Sequence, residues 1–185
     1  MTDTKCPSLF DWANNTLNLP KRVTDDQMIA DIMNHPLGKS WINKHIKVVT
    51  LSGATFTFEK ILSEIFKKTK FTFYPIERNI KVFNTIIQTY FSNIDIDNFY
   101  MFKAPLEHYK NSEIVMLSKP ETVYEYFSTP KFDLIDYINL DYMGTWSKEK
   151  QNDFIKLFSC GFLKDEIFIS LTISGNRGHN NDELY

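Results

Sequence analysis

The sequence predicts an α/β fold, because β-branched and aromatic runs alternate with segments of helical periodicity. The clearest strand candidates are residues 46–51, 70–74, 132–140 and 166–174. Such alternation favours right-handed βαβ units, so we expect a doubly wound, mainly parallel, Rossmann-like sheet with helices on both faces. Strands 47–51 and 132–140 are expected to be neighbours, at the point where the direction of winding reverses.

Length and composition favour one folded domain with a sizeable core. Of the 185 residues, 43% are hydrophobic and 15% aromatic, which is too apolar for a disordered chain. We divide the chain into a helical N-terminal appendage (1–45), a Rossmann-like domain (46–178) and a polar tail (179–185). Trp41 and Ile42 are expected to pack the connection between the first two parts onto the core.

Charge, cysteine and histidine content argue against several classes of protein. A net charge of −2 does not indicate nucleic-acid binding by the protein as a whole. The apolar runs have the length of strands, so we expect no membrane association and a cytoplasmic location. Two cysteines imply no disulfide framework, and the four histidines lack the spacing of metal ligands.

The other elements are predicted from local patterns. Thr24 is the expected N-cap of the first helix. The remaining elements, in chain order, are a helix through Phe58 and Leu62, a helix over 80–91, short strands at 98–103 and 113–117, a short helix at 121–127, a polar turn over 141–146 and a helix capped by Ser147. In that last helix Phe154, Ile155, Leu157 and Phe158 are expected to share one packed face.

Candidate cofactor-binding residues follow the first two strands, since ligands of open parallel sheets bind beyond the carboxyl ends of strands. Leu51, Ser52, Gly53 and Ala54 form a turn in which glycine lets a ligand approach backbone N–H groups, although ordinary strand-to-helix turns also contain glycine. Glu77 comes 24 residues after Gly53, an offset at which a carboxylate can accept hydrogen bonds from both ribose hydroxyls. The alternative is an exposed loop glutamate paired with the neighbouring arginine.

The candidate catalytic residues lie at the end of the strand at 132–140 and in the turn after it. Asn139, Asp141 and Tyr142 place an amide, a carboxylate and an aromatic ring together, and such groups can hold a nucleic-acid base. The alternative is a capping turn in which Asp141 accepts local N–H groups and Trp146 packs. After the last strand, Arg177 can meet a phosphate or belong to a frayed tail.

Over roughly residues 46–178 the chain resembles class I S-adenosylmethionine-dependent methyltransferases. The turn after strand 47–51 stands where that family has its glycine-rich cofactor loop, and Glu77 stands where it has a ribose-binding acid. Residues 139–142 read Asn-Leu-Asp-Tyr and are similar to the Asn/Asp-Pro-Pro-Tyr/Phe motif of amino-methylating members, with the outer residues kept. Residues 171–178 resemble the fifth strand and its arginine-containing exit.

The resemblance implies an S-adenosylmethionine-dependent methyltransferase acting on a base of DNA or RNA. S-adenosylmethionine is the implied cofactor, bound over the glycine turn with Glu77 on its ribose. Asn139 and Tyr142 would hold an extruded base, while Asp141 would orient that base or the methionine ammonium.

The departures from the family pattern support a second hypothesis, a catalytically inactive, methyltransferase-like binding or scaffold protein with a protein partner. The cofactor turn has one glycine and lacks the acid at the strand end, both motif prolines are absent, and no closing β-hairpin is expected after the last strand. The many Asn, Ile, Lys and Phe residues are typical of AT-rich genomes such as those of viruses or mobile elements. A different nucleotide-binding enzyme is disfavoured, because no Gly-Lys-Ser/Thr phosphate loop is present.

Overall fold

The computed structural model describes residues 19–92, 101–129, 134–142 and 145–173. The helices are α1 (Leu19–Asn34), α2 (Pro36–Lys39), α3 (Thr57–Ile65), α4 (Ile80–Tyr90), α5 (Val123–Ser128) and α6 (Lys148–Phe158). The strands are β1 (His45–Thr50), β2 (Lys70–Pro75), β3 (Met101–Pro105), β4 (Ser112–Leu117), β5 (Ile135–Tyr142) and β6 (Leu163–Ile173). The fold is therefore α/β, as the alternation of patterns predicts.

The six strands form one sheet in the order β3-β4-β2-β1-β5-β6. Every neighbouring pair is parallel except β3 and β4, which form an antiparallel hairpin at one edge. After β1, the chain adds β2 and then the hairpin of β3 and β4 on one side of β1. It then adds β5 and β6 on the other side. The predicted mainly parallel sheet is confirmed, and so is the predicted pairing of the first strand with the strand that begins the second half.

Two hydrophobic cores take alternate residues of the central strands. Val48 and Tyr137 belong to a first core, which also contains Leu62 of α3 and residues from α1 and α4. Val49 and Ile138 belong to a second core, which also contains residues of α5 and α6. Successive side chains of a strand point to opposite faces of its sheet, so the sheet is packed on both faces.

Several local predictions are corrected by the structure. Thr24 is not an N-cap, because α1 begins five residues earlier, at Leu19. Trp41 is 2% exposed and packs in the first core as expected, but Ile42 is 55% exposed and does not. The strand predicted to end at residue 140 continues to Tyr142, because the β6 ladder pairs with it that far.

The packed face of α6 also differs from the prediction. Leu157 is buried and Phe154 packs against the second core, but Ile155 and Phe158 are 61% and 65% exposed. Ser147 is the N-cap, as predicted, and its hydroxyl accepts the Lys150 N–H at 3.3 Å. Strand residues predicted at 98–100 and 132–133, and everything after residue 173, lie outside the described ranges.

Within the described residues, no helix is both long and apolar enough to cross a membrane.

Candidate functional site

A cleft of about 410 Å³ opens at the carboxyl edge of β1, β2 and β5, where the direction of winding reverses. Its volume falls in the range of small-molecule pockets, roughly 300–1,000 Å³. The lining comes from strand ends and loops at residues 51–53, 76–79, 121–122 and 141–142. Three helices complete it, with Val82 of α4, Val123 of α5, and Glu149, Lys150 and Asp153 of α6. This is the edge at which open parallel sheets bind ligands.

The predicted cofactor turn forms one wall of the cleft. Leu51, Ser52 and Gly53 line it, whereas Ala54 is 7% exposed, packs in the first core and does not line it. Hydrogen bonds with buried polar groups hold the turn in place. The Ser52 hydroxyl lies 2.5 Å from that of Thr50 and donates a hydrogen bond to the buried Glu59 carboxylate.

Glu77 lies two residues after the end of β2 and lines the same cleft. Its carboxylate accepts the backbone N–H of Asn79 at 2.6 Å. Burial raises the pKa of Glu77 above its ordinary value, although backbone hydrogen bonds from Asn79 and Arg78 oppose this. The Arg78 guanidinium donates instead to Glu149 at 2.8 Å, an ion pair in which both side chains are largely exposed. Glu77 itself is half-buried at the wall of the cleft.

We expect Glu77→Gln to change the pH dependence of stability. A raised folded pKa gives stability that is fully present below the unfolded pKa, near 4.5, and is lost as pH rises through the folded pKa. The urea midpoint of the wild type should therefore fall relative to that of Glu77→Gln as pH rises from about 4 to about 7.

Glu113→Gln is the control of opposite sign. Burial raises the pKa of Glu113, but hydrogen bonds from Thr72 and Lys103 outweigh it and hold that pKa below its ordinary value. The stability gained is present above the unfolded pKa and lost as pH falls through the folded one. The urea midpoint of the wild type minus that of Glu113→Gln should therefore increase as pH rises. If the midpoint difference between the wild type and Glu77→Gln does not change with pH, or increases with pH, the burial of the Glu77 carboxyl is contradicted.

Tyr142 lines the cleft but is only 8% exposed. Its hydroxyl donates to the Asp153 carboxylate at 2.8 Å, and the Lys150 ammonium lies 5.5 Å from its ring centroid. Burial raises the pKa of Tyr142, and burial also raises the pKa of Asp153. The free ring face that a stacking role for Tyr142 requires is therefore not observed. Trp146 packs against Phe154, with ring centroids 5.5 Å apart.

Asn139 lies inside β5, three residues before the end of the strand, and is 4% exposed. It does not line the cleft. Its side-chain oxygen has no hydrogen-bond partner among the described residues. Residues three apart in a strand point to opposite faces, so Asn139 faces the side of Tyr137 and Tyr142 faces the side of Ile138. The structure does not bring these two predicted base-holding side chains together, although Asp141 does line the cleft.

Three cleft residues of α6 were missed by the sequence analysis: Glu149, Lys150 and Asp153. The apolar periodicity that predicts this helix gives no sign of Lys150 and Asp153, because both are buried charged residues. The Lys150 ammonium donates to the Thr145 carbonyl at 2.6 Å. The place of these three residues in the chain could have identified them. The first turns of a helix that follows a central strand lie at the carboxyl edge of the sheet.

Comparison with family models, curated proteins and solved structures finds no match to this chain.

The chemistry of the cleft is therefore the basis for assigning a function. Its charged lining is mainly acidic among the described residues, with the carboxylates of Glu77, Glu121, Asp141, Glu149 and Asp153 against the cations of Arg78 and Lys150. The described residues contain no cluster of three or more His, Cys, Asp or Glu side chains able to hold a metal ion. Gly175, Asn176 and Arg177 lie outside the described ranges.

Proposed function

We propose that the cleft binds S-adenosylmethionine and that the protein is a methyltransferase-type protein with a doubly wound, Rossmann-like fold. One observation carries the proposal. Leu51, Ser52, Gly53 and Glu77, selected as cofactor-binding residues from their places after two strands, all line one cleft where the winding reverses. The packing of both faces of the sheet supports the doubly wound interpretation.

The lining suits a nucleoside with a charged side chain. The Glu77 carboxylate can accept hydrogen bonds from ribose hydroxyls, because one of its oxygens already lies in a fixed position on the Asn79 N–H. Leu51, Ile76 and Val82 supply apolar surface beside it for a base. Asp141 supplies a carboxylate for the ammonium of the methionine portion. When bound, the sulfonium group supplies the methyl that is transferred.

A nucleic-acid base as methyl acceptor is part of the proposal, and its support is the sequence of residues 139–142. The residues that this motif supplies to the cleft lining are Asp141 and Tyr142. Methyl transfer needs chiefly proximity and alignment of donor and acceptor, so few catalytic side chains are required.

The second candidate function is a non-catalytic binding protein that retains the fold. Two observations favour it. Tyr142 is covered by Lys150 and hydrogen-bonded to Asp153, and Asn139 does not line the cleft, so the motif presents no stacking surface to an acceptor. Cofactor binding without methyl transfer to DNA or RNA would support this candidate.

Calorimetric titration with S-adenosylmethionine tests the proposal. We expect saturable binding with one site per chain, and we expect Glu77→Ala to weaken it by about 1.5–3 kcal/mol, the scale of hydrogen bonds to a charged group. This corresponds to a roughly 10- to 150-fold rise in Kd. Glu166→Ala, which removes an exposed carboxylate of β6 outside the cleft, is the control and should leave the affinity unchanged.

The results that contradict the proposal are specific. Absence of wild-type binding would exclude S-adenosylmethionine as the ligand. Binding that Glu77→Ala leaves intact would remove Glu77 from the ribose site.

A further inference from the structure

The edge of the sheet opposite the cleft carries a group of exposed lysines. β1, β2 and β4 are parallel neighbours, so the residues that precede them and begin them lie side by side at this amino edge. Five lysines in these segments are exposed, and we call them the amino-edge lysines: Lys44, Lys67, Lys68, Lys70 and Lys110.

Hydrogen bonds join the segments that carry these lysines into one surface. The Lys70 N–H donates to the Lys44 carbonyl at 2.9 Å, which ties the start of β2 to the residue before β1. The side-chain amide of Asn111, which follows Lys110, donates to the Lys67 carbonyl at 3.2 Å. Because neighbouring strands lie about 4.8 Å apart, the amino-edge lysines extend over roughly 10 Å across three strands.

Most of the ammonium groups on this surface have no acidic partner. Lys67 pairs with Glu64 at 2.6 Å, and the nearby Glu107 lies 3.3 Å from His108. Within the described part of the chain, no carboxylate forms an ion pair with any of the other four amino-edge lysines. The chain as a whole carries a net charge of −2, so this positive surface is a local feature.

We propose that the amino-edge lysines bind the phosphate backbone of a nucleic acid. A row of ammonium groups across three strands matches an anion that repeats along a polymer, whereas a small anion would engage only one or two of them. Lysine is a flexible point charge, which suits contacts that do not depend on base sequence. The choice of nucleic acid among polyanions rests on the proposed function, in which a nucleic-acid base accepts the methyl group.

An anionic lipid surface would be attracted by the same charges, but the placement of the lysines favours a nucleic acid. Binding at a bilayer interface typically uses an amphipathic helix that inserts a long apolar face between the lipids. The amino-edge lysines lie instead in turns and at the start of β2, outside the helices. Anionic vesicles therefore serve as the competing probe in the test.

The position of this surface separates polymer binding from the chemistry of the cleft. β2 has six residues, so its two ends lie roughly 20 Å apart at about 3.3 Å per residue. A nucleic acid held at the amino edge therefore leaves the cleft open, and S-adenosylmethionine should not change its affinity.

Fluorescence anisotropy of the full chain without cofactor tests the proposal. The probes are short labelled oligonucleotides, as single-stranded DNA, single-stranded RNA and duplex DNA. In about 50 mM salt we expect Kd values of roughly 1–100 µM, the range of sequence-independent binding. For the single strands, a plot of the logarithm of the binding constant against that of the salt concentration should have a slope of about −2 to −3, which corresponds to three or four neutralised phosphates.

Glutamine variants locate the binding surface. Lys68→Gln and Lys110→Gln should each raise Kd by roughly 5- to 10-fold and make the salt slope shallower by about 0.7, the loss of one phosphate contact. Lys81→Gln and Lys148→Gln are the matched controls, since these exposed lysines lie in the first turns of α4 and α6, at the cleft edge. Neither control should change Kd or the salt slope.

Three results would overturn the proposal. They are no binding to any of the oligonucleotides, equal weakening by the control variants, and binding to phosphatidylserine vesicles in the absence of binding to oligonucleotides. Each would leave S-adenosylmethionine binding at the cleft intact, because no cofactor is present in this assay. The calorimetric titration decides that binding separately, and Lys68→Gln and Lys110→Gln should leave its result unchanged.

Discussion

Replacement of Tyr142 by alanine is expected to lower the free energy of unfolding by about 3–5 kcal/mol, the cost of removing a large buried aromatic side chain. Tyr142 is 8% exposed and packs in the second core. The substitution leaves a cavity and also leaves the Asp153 carboxylate without the hydroxyl that donates to it at 2.8 Å. Urea denaturation of the variant and the wild type at neutral pH measures the difference.

Tyr142→Phe divides this loss into its two parts. It keeps the ring and removes only the hydroxyl, so we expect a loss of about 1–3 kcal/mol for leaving a buried hydrogen-bonding group unsatisfied. If Tyr142→Ala costs less than about 1 kcal/mol, the ring is not part of the core. A stable Tyr142→Ala variant that binds cofactor normally but loses methyl transfer to DNA or RNA would instead restore Tyr142 as a substrate-stacking residue.

Replacement of Trp41 by alanine is expected to cost a similar amount, about 3–5 kcal/mol. The indole is 2% exposed and joins the segment before β1 to three strands. Its centroid lies 6.3 Å from that of Phe71, 5.9 Å from that of Tyr137 and 5.5 Å from that of Phe168. Because these partners belong to β2, β5 and β6, the loss should appear as a drop in the cooperative unfolding midpoint and not as local fraying.

Ile42→Ala is the matched control for Trp41→Ala. Ile42 is the next residue in the chain, was expected to pack in the same way, and is 55% exposed. Its truncation should change the free energy of unfolding by no more than about 0.5 kcal/mol. Similar effects of the two substitutions would show that Trp41 does not hold the first core together.

The meeting of the residues proposed to bind a cofactor could be predicted from sequence because it depends on local order. Once residues 46–51 and 70–74 are recognised as parallel strands, Ser52, Gly53 and Glu77 must emerge at the same edge of the sheet. Their meeting in one cleft then requires only that the two strands be neighbours, as they are.

The catalytic half could not be predicted in the same way, because it depends on where β5 ends. The sequence predicts a turn that starts at residue 141, so that Asn139 at the end of the strand and Tyr142 in the turn would face the same space. Pairing with β6 extends β5 to Tyr142, and the alternation of a strand then sends the two side chains to opposite faces. The partner of Tyr142 in that ladder is Ile173, a residue 31 positions further along the chain.

By itself, the sequence determined the class of the fold, the pairing of the first strand with the strand that begins the second half, and the edge of the sheet where the cleft opens. These follow from periodicity and connection rules that act over short stretches of chain. Only the tertiary structure decided that Lys150 covers Tyr142, that Asp153 accepts its hydroxyl and that carboxylates dominate the cleft lining. Those features arise where a helix and strands distant in sequence converge, and their energies depend on burial and on distances that no local pattern encodes.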